Sequence, residues 1–338
     1  MTRVESPLCP DRLHGIMTAY LQSKAVFAAL QIGLFEELHK GPCTVTGLAS
    51  ALGLERRPTE ALLHPLHRMK LVQQQGDKIE NAPEAEAFLV SDSSNYMGGF
   101  AEHQDRHFAA FTKLHEALRE NTSVTRRVLN DGYRDQGAAE GEGREGTARL
   151  IEAMRVSSRM QAPALAAALP EDMSSLADIG CGSGDYSIAV ASHHSDVSVI
   201  CADYPNVCEI VEKNVATAGL ASRVSVLPVD IMNDPLPAAR DYLLSHVLDG
   251  YGTERSRRLI SKIYHALEPG GRLFIHGHMP SLATGPFPSL FGLILLVNTE
   301  TGEVHDVPEI RGWLEEAGFS RVDTQSISVL SGLITAFR

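Results

Sequence analysis

The sequence predicts an α/β protein: a doubly wound, mainly parallel sheet fills its second half, behind a mainly helical N-terminal domain. Three observations carry this. From residue 175 onward the short apolar runs "LADIG", "VSVICAD", "VSVLPVD", "YLLSHVL" and "RLFIHGH" alternate with helical stretches, the pattern of parallel strands and crossover helices. "LADIGCGSGDYS" (176–187) sets three glycines at a strand-to-helix turn. Residues 12–40 repeat apolar side chains at spacings of three and four over several turns, which is helical.

Bulk properties bound the function. A chain of 338 residues holds two domains with ample core. Hydrophobic content of 43% and charged content of 21% are those of an ordinary globular protein. The net charge of −12 argues against a general nucleic-acid binder, because phosphate needs a basic face. "MTRVESPLCPDRLHG" has no apolar signal core, and no segment reaches the roughly 20 apolar residues of a membrane span. Cys9, Cys43, Cys181, Cys201 and Cys208 form no C-x-x-C pair, which suits a reducing cytoplasm and argues against a thiolate zinc site. A cytoplasmic protein with neither membrane nor nucleic-acid partner is expected.

Taken in order, residues 1–100 read as a winged-helix-like domain. The apolar helical run from Ile16 to Leu38 is too long to be left in water and predicts a dimer. "TVTGLASALGLERRPTEALLHPLHRMKLVQQQGDKIENAP" then gives helix, turn, helix and a short hairpin. Its second helix carries Arg56, Arg57, Arg68 and Lys70, a set that could read DNA; the acidic chain and the catalytic pattern downstream argue for dimerisation instead. Linking helices are expected over 101–170, at 100–130 and 147–169, separated by a Gly- and acid-rich loop or lid at 131–146. Residues 171–338 form the catalytic domain, in which "FPSLFGLILLV" (287–297) reads as a buried helix.

The glycine turn reads as a cofactor site. Gly180, Gly182 and Gly184 let the backbone approach a ligand and tolerate positive φ. Asp178 lies at the end of the preceding strand. Asp203, 25 residues on, ends the second strand, where a carboxylate accepts both ribose hydroxyls. Asp230 follows the third strand, placed for an adenine amino group, and Tyr204, Ile231 and Ser245 complete the expected cofactor contacts. Nicotinamide binding is the rival, but its usual fingerprint is G-x-G-x-x-G. The absence of a P-loop lysine argues against a nucleoside triphosphate.

With these residues in place, the chain resembles the class I S-adenosylmethionine-dependent methyltransferases, with their Rossmann-like catalytic domain. More narrowly, it resembles the small-molecule O-methyltransferases with an N-terminal winged-helix dimerisation domain. The resemblance covers about residues 12–338, including "LEPGGRLFI" and "EIRGWLEEAGF". It implies S-adenosyl-L-methionine as cofactor, a small-molecule substrate and a homodimer whose N-terminal helices interlock and help close the partner's pocket.

One stretch departs from that family, whose fourth strand typically ends in V-L-H-D-W with the histidine as base. Here the run is Val247-Leu248-Asp249-Gly250-Tyr251. An aspartate with a pKa near 4 is a poor base for a phenol. Histidines cluster nearby instead: His246, His276, His278, and His305 beside Asp306. One carboxylate and two imidazoles could make a facial metal triad. This resembles the branch of metal-dependent C-methyltransferases acting on α-keto acids, which implies Asp249 and His305 as ligands of iron or zinc. His278 is the expected third ligand, with His246 and His276 as alternatives. The implied activity is methylation at carbon 3 of a 2-oxo acid, with a metal-stabilised enolate and a histidine base. The competing expectations are an O-methyltransferase using His246 or His278 as base, and a protein that keeps the cofactor only for structure. On "FAEHQDRHFAAF", His103 and His107 share a helix face beside Arg106; the resemblance sets this helix against the substrate, as a source of a base or a carboxylate partner.

Overall fold

The structure, a computed structural model, describes residues 9–129 and 144–338. The chain divides into two compact units, Met1–Asp105 and Arg106–Arg338.

In the first unit, helices Asp11–Thr18, Tyr20–Gln31 and Leu34–His39 precede β1 (Cys43–Thr44), and helices Val45–Ala51 and Arg56–Arg68 lead into β2 (Val72–Gln75) and β3 (Lys78–Asn81). Thr44 caps its helix by accepting from the Gly47 amide at 3.1 Å. The three strands pair antiparallel in the order β1-β3-β2, which is the expected wing. Phe35, Leu38, Leu48, Leu63, Leu66 and Ile79 close one core. The first two helices contribute little to it: Leu13, Ile16, Met17, Tyr20 and Leu21 are all at least half exposed.

The second unit is built on seven strands: β4 (Ser175–Ile179), β5 (Ser198–Asp203), β6 (Val224–Pro228), β7 (Asp241–Ser245), β8 (Arg272–Gly277), β9 (Arg321–Ser326) and β10 (Gly332–Phe337). Their order is β6-β5-β4-β7-β8-β10-β9, with the first five parallel and β10 antiparallel to both its neighbours. All five expected strands are present. Every residue of β7 and β8 is buried, as helices on both faces of a parallel sheet require. At the amino edge, Arg272 of β8 grips Asp241 of β7 with two bonds of 2.9 Å. The chain reverses its winding between β4 and β7, and at such a switch point the carboxyl edge opens as a crevice.

Two expectations need adjustment. Of the loop expected at 131–146, residues 131–143 lie outside the described residues, and helix Arg144–Ala168 has begun by Arg144. The stretch 287–297 is helical (Phe287–Asn298), but Pro288, Leu295, Val297 and Asn298 are its buried side chains while Leu290 is 54% exposed. It is a half-buried wall. Among the described residues no helix is long and apolar enough to cross a membrane.

Candidate active site

The glycine turn and the ends of β4 and β5 form one half of the site. Gly180, Gly182 and Gly184 all have positive φ, at 74°, 55° and 76°. Two of them are also tightly packed: a Cβ on Gly180 would stand 2.9 Å from Val247 Cγ2, and one on Gly184 2.8 Å from Val211 Cγ1. Gly182 differs, for a Cβ there meets nothing within 4 Å. The turn is therefore closed on its protein side and open above its middle glycine.

Asp203 fastens that turn. Its two oxygens accept from the amides of Gly182 (2.9 Å) and Tyr204 (2.8 Å), while burial pushes its carboxyl up to about 6. Asp178 takes the Ser187 hydroxyl at 2.6 Å on one oxygen, and its other oxygen is buried without a hydrogen-bond partner. Burial pushes this carboxyl up to about 7. Asp230 lies two residues beyond β6, where its carboxylate caps its own turn through the Met232 amide (2.8 Å) and Asn233 Nδ2 (2.8 Å). Ile231 is buried in the main core, and Tyr204 leads into helix Pro205–Thr217. Ser245 Oγ is paired with His276 Nδ1 at 2.8 Å.

One further group was not singled out in the sequence. Arg155 and Arg159, one turn apart on helix Arg144–Ala168, converge on buried Asp185 at 3.3 and 3.5 Å. Asp185 also accepts from Ser183 Oγ at 2.7 Å. The signal was available as two arginines spaced i, i+4 on a predicted helix.

The other half of the site is a histidine cluster at the ends of β7 and β8. His246 follows β7 at φ 55°, one of three non-glycine residues at positive φ among the described residues. Such a conformation is held only where the surroundings over-determine it, and it clusters at functional sites. The His246 ring lies 4.9 Å from that of His276, 4.6 Å from His278 and 6.1 Å from Tyr186. Its Nδ1 is 3.6 Å from Asp249 Oδ2, and its Nε2 is buried without a partner.

His276 and His278 are fixed by the β9–β10 connection. His276 is held between Ser245 Oγ and Ser331 Oγ (2.9 Å), and burial drives its pKa well below the usual imidazole value. His278 Nδ1–H donates to the Leu330 carbonyl at 2.7 Å. Burial, followed by the neighbouring His246, pushes His278 down to about 4, so both rings are neutral near pH 7. Phe291 (4.5 Å) and Phe287 (5.3 Å) pack their rings on His278.

His246, Asp249, His276, Gly277, His278 and His305 share one small cavity of about 10 Å³. The fold thus gathers all the strand-end polar residues that the sequence suggested. It does not make them a metal site. His305 Nε2–H donates to the Tyr251 carbonyl at 3.0 Å, and its Nδ1 faces the Glu309 carboxylate at 3.3 Å. Of its two nitrogens, Nε2 is thus committed to a backbone oxygen. Among the described residues no group of three or more His, Cys, Asp and Glu side chains is arranged to hold a metal ion, so the expected Asp249–His278–His305 triad finds no support here. Asp306 caps helix Val307–Ala317. His103, Arg106 and His107 do lie on helix Gly98–Phe111, with His107 buried, but Arg106 and His107 do not line this cavity and His103 belongs to the other unit.

A seven-stranded sheet of this order, with a glycine turn after its first strand and an acid ending the second, defines a class I methyltransferase fold. The O-methyltransferase domain matches residues 111–320 and the O-methyltransferase dimerisation domain residues 15–91, so the chain belongs to the O-methyltransferase family and is an S-adenosylmethionine-dependent methyltransferase. It is 29% identical to the N,N-dimethyltransferase OxyT of Streptomyces rimosus, over 97% of this chain and 96% of that one. It is 28% identical to the 3-hydroxy-5-methyl-1-naphthoate 3-O-methyltransferase of Streptomyces sahachiroi, over 93% and 91%. In fold it is similar to human N-acetylserotonin methyltransferase, solved with its S-adenosylmethionine, at a TM-score of 0.86 and 21% identity over 100% of this chain and 99% of that one.

Proposed function

We propose that this enzyme methylates a hydroxyl or amine on a small aromatic molecule, with His246 as the base and Asp249 as its orienting acid. The observation that carries the reading is the buried Nε2 of His246, unpartnered on a ring whose Nδ1 faces a carboxylate. That is the arrangement of a general base: one nitrogen aimed at the proton to be removed, the other steadied by an acid. The 3.6 Å separation exceeds a hydrogen bond, as such pairs often do before substrate is bound. The rings of Tyr186, Phe287 and Phe291 beside the histidines favour a planar acceptor. The activities in the names of OxyT and the naphthoate enzyme, N- and O-methylation, support the same acceptor classes.

Bound S-adenosylmethionine supplies the electrophilic sulfonium methyl. The residues present fit it: the turn is open above Gly182, and the orphaned Asp178 oxygen and the Asp203 carboxylate lie beside it. Asp203 is assigned to the ribose hydroxyls and Asp230 to the adenine side, while Arg155 and Arg159 are placed to draw the cofactor's carboxylate to the helix Asp185–His193. His246 Nε2 takes the acceptor's proton as the acceptor attacks, and Asp249 stabilises the imidazolium. His278 and His276, both neutral, exclude water and hold the ring in place.

Carbon-3 methylation of a 2-oxo acid through a metal chelate is less well supported, because among the described residues no three His, Cys, Asp or Glu side chains are arranged to hold a metal ion. The enzyme acts as a homodimer in this reading, since Ile16 (60% exposed) and Met17 (72%) lie within the matched dimerisation domain.

The test is a screen of phenols, anilines and 2-oxo acids with methyl-labelled cofactor, run with and without chelator, on wild type and His246→Gln. Chelator-resistant transfer to a phenol or aniline, lost in the variant, is expected. Transfer confined to 2-oxo acids and abolished by chelator would overturn the reading.

A further inference from the structure

The cavity between the ends of β7 and β8 is small, and polar and apolar side chains line it together. We infer that it is a binding site for one water molecule, which joins Asp249 Oδ2 to the ring of His278 and so fixes the carboxylate beside His246. Its effect on rate rests on the methyl-transfer reading above; the site itself does not.

Four features point there. The cavity volume of about 10 Å³ is that of a single water-sized probe, too small for any substrate. Asp249 Oδ2 has no hydrogen-bond partner although its side chain is nine-tenths buried, and a buried carboxylate oxygen without a donor is costly. The second partner is His278, whose Nδ1–H is committed to the Leu330 carbonyl, so that Nε2 is its remaining acceptor. A water can donate to both, and a polar site with two acceptors meets what a buried water requires.

Gly277 supplies the fourth. Its φ is not positive, so the backbone does not need glycine there. A Cβ at that position would meet only Asp249 Oδ2, at 3.6 Å. What the missing side chain leaves is room beside the one oxygen that lacks a donor. A metal ion is a poorer occupant, because among the described residues no three His, Cys, Asp or Glu side chains are arranged to hold one.

Gly277→Ala is therefore a clean probe: the methyl enters without backbone strain and takes the water's place. In a crystal structure of the wild-type enzyme with S-adenosylhomocysteine, a peak at about 2.7–3.2 Å from both Asp249 Oδ2 and His278 Nε2 is expected. An empty cavity, or a peak with the anomalous signal of a metal, overturns the proposal. In the folded Gly277→Ala enzyme kcat falls by about tenfold or more, KM for the cofactor stays within about twofold and the pH profile of kcat shifts, as loss of a positioning group requires. An unchanged kcat and pH profile overturn the positioning role. Should Gly277→Ala fail to fold, the wild-type density decides. If wild type methylates no acceptor, the functional reading fails while the density still tests the water.

Discussion

Asp249 Oδ2 stands 3.6 Å from His246 Nδ1, across the single 3-10 turn Leu248–Gly250 that follows β7. The acid is thus set beside a histidine three residues earlier. The two are three residues apart along the chain and neighbours in space.

A pair that works as one unit has non-additive losses. His246→Gln is expected to lower kcat by about 10²–10⁴-fold, the range of general base catalysis. Asp249→Asn should cost about tenfold or more, and the double variant no more than His246→Gln alone. Steady-state rates with labelled cofactor check this. A double variant whose losses multiply would show that the two residues act independently.

Cofactor affinity should depend on pH through Asp203. Its carboxyl is pushed up to about 6, and hydroxyl donors bind the ionised form best. Binding of S-adenosylhomocysteine is therefore expected to weaken as pH falls below about 6, by up to about tenfold per unit. Calorimetry at pH 5 and pH 7.5 measures it. Asp203→Asn should bind more weakly at pH 7.5 and lose that slope.

The two open-and-shut glycines separate folding from binding. Gly184→Ala drives a Cβ to 2.8 Å from Val211 at φ 76°, and is expected to destabilise the fold by about 1–3 kcal/mol. Gly182→Ala meets no protein atom within 4 Å, so its stability cost is the backbone strain alone, about 1–2 kcal/mol. Its main effect should fall on S-adenosylhomocysteine affinity, by about tenfold or more. Denaturant melts and calorimetry on both variants distinguish the two.

His278 makes the fold sensitive to acid. Its pKa is lowered to about 4 in the native state, so the unfolded chain takes up a proton that the native chain refuses. Stability from this residue is complete above about pH 6.5 and declines as pH falls toward 4. Asp178 and Asp203, whose pKa values are raised, act with the opposite sign: the native chain holds protons that the unfolded chain has released. Comparing variants isolates the histidine. Between pH 7 and 4.5, His278→Gln should lose about 2 kcal/mol less stability than wild type. Equal losses would remove the assignment.

Much of this was legible in the sequence because it follows from local chemistry. The five parallel strands announced themselves as buried apolar runs, and the glycine turn by its position between a strand and a helix. What the sequence could not reveal is where ring nitrogens point. His305 looked like a ligand, yet its Nε2 points at the Tyr251 carbonyl. The strands β9 and β10 also escaped notice, since β9 is exposed along most of its length and "RVDTQS" carries little apolar signal. Yet their connection supplies the partners that orient His276 and His278.

That connection separates the construction of the two half-sites in time. The glycine turn and Asp203 are complete within β4 and β5, from residues that emerge together. His276 waits for Ser331, 55 residues later, and His278 for Leu330, 52 residues later. A chain still growing through residue 320 has every parallel strand and the glycine turn, but lacks the Ser331 and Leu330 oxygens with which His276 and His278 pair. The half of the site proposed for the methyl donor thus comes from an earlier stretch of chain than the oxygens that orient the half proposed for the acceptor.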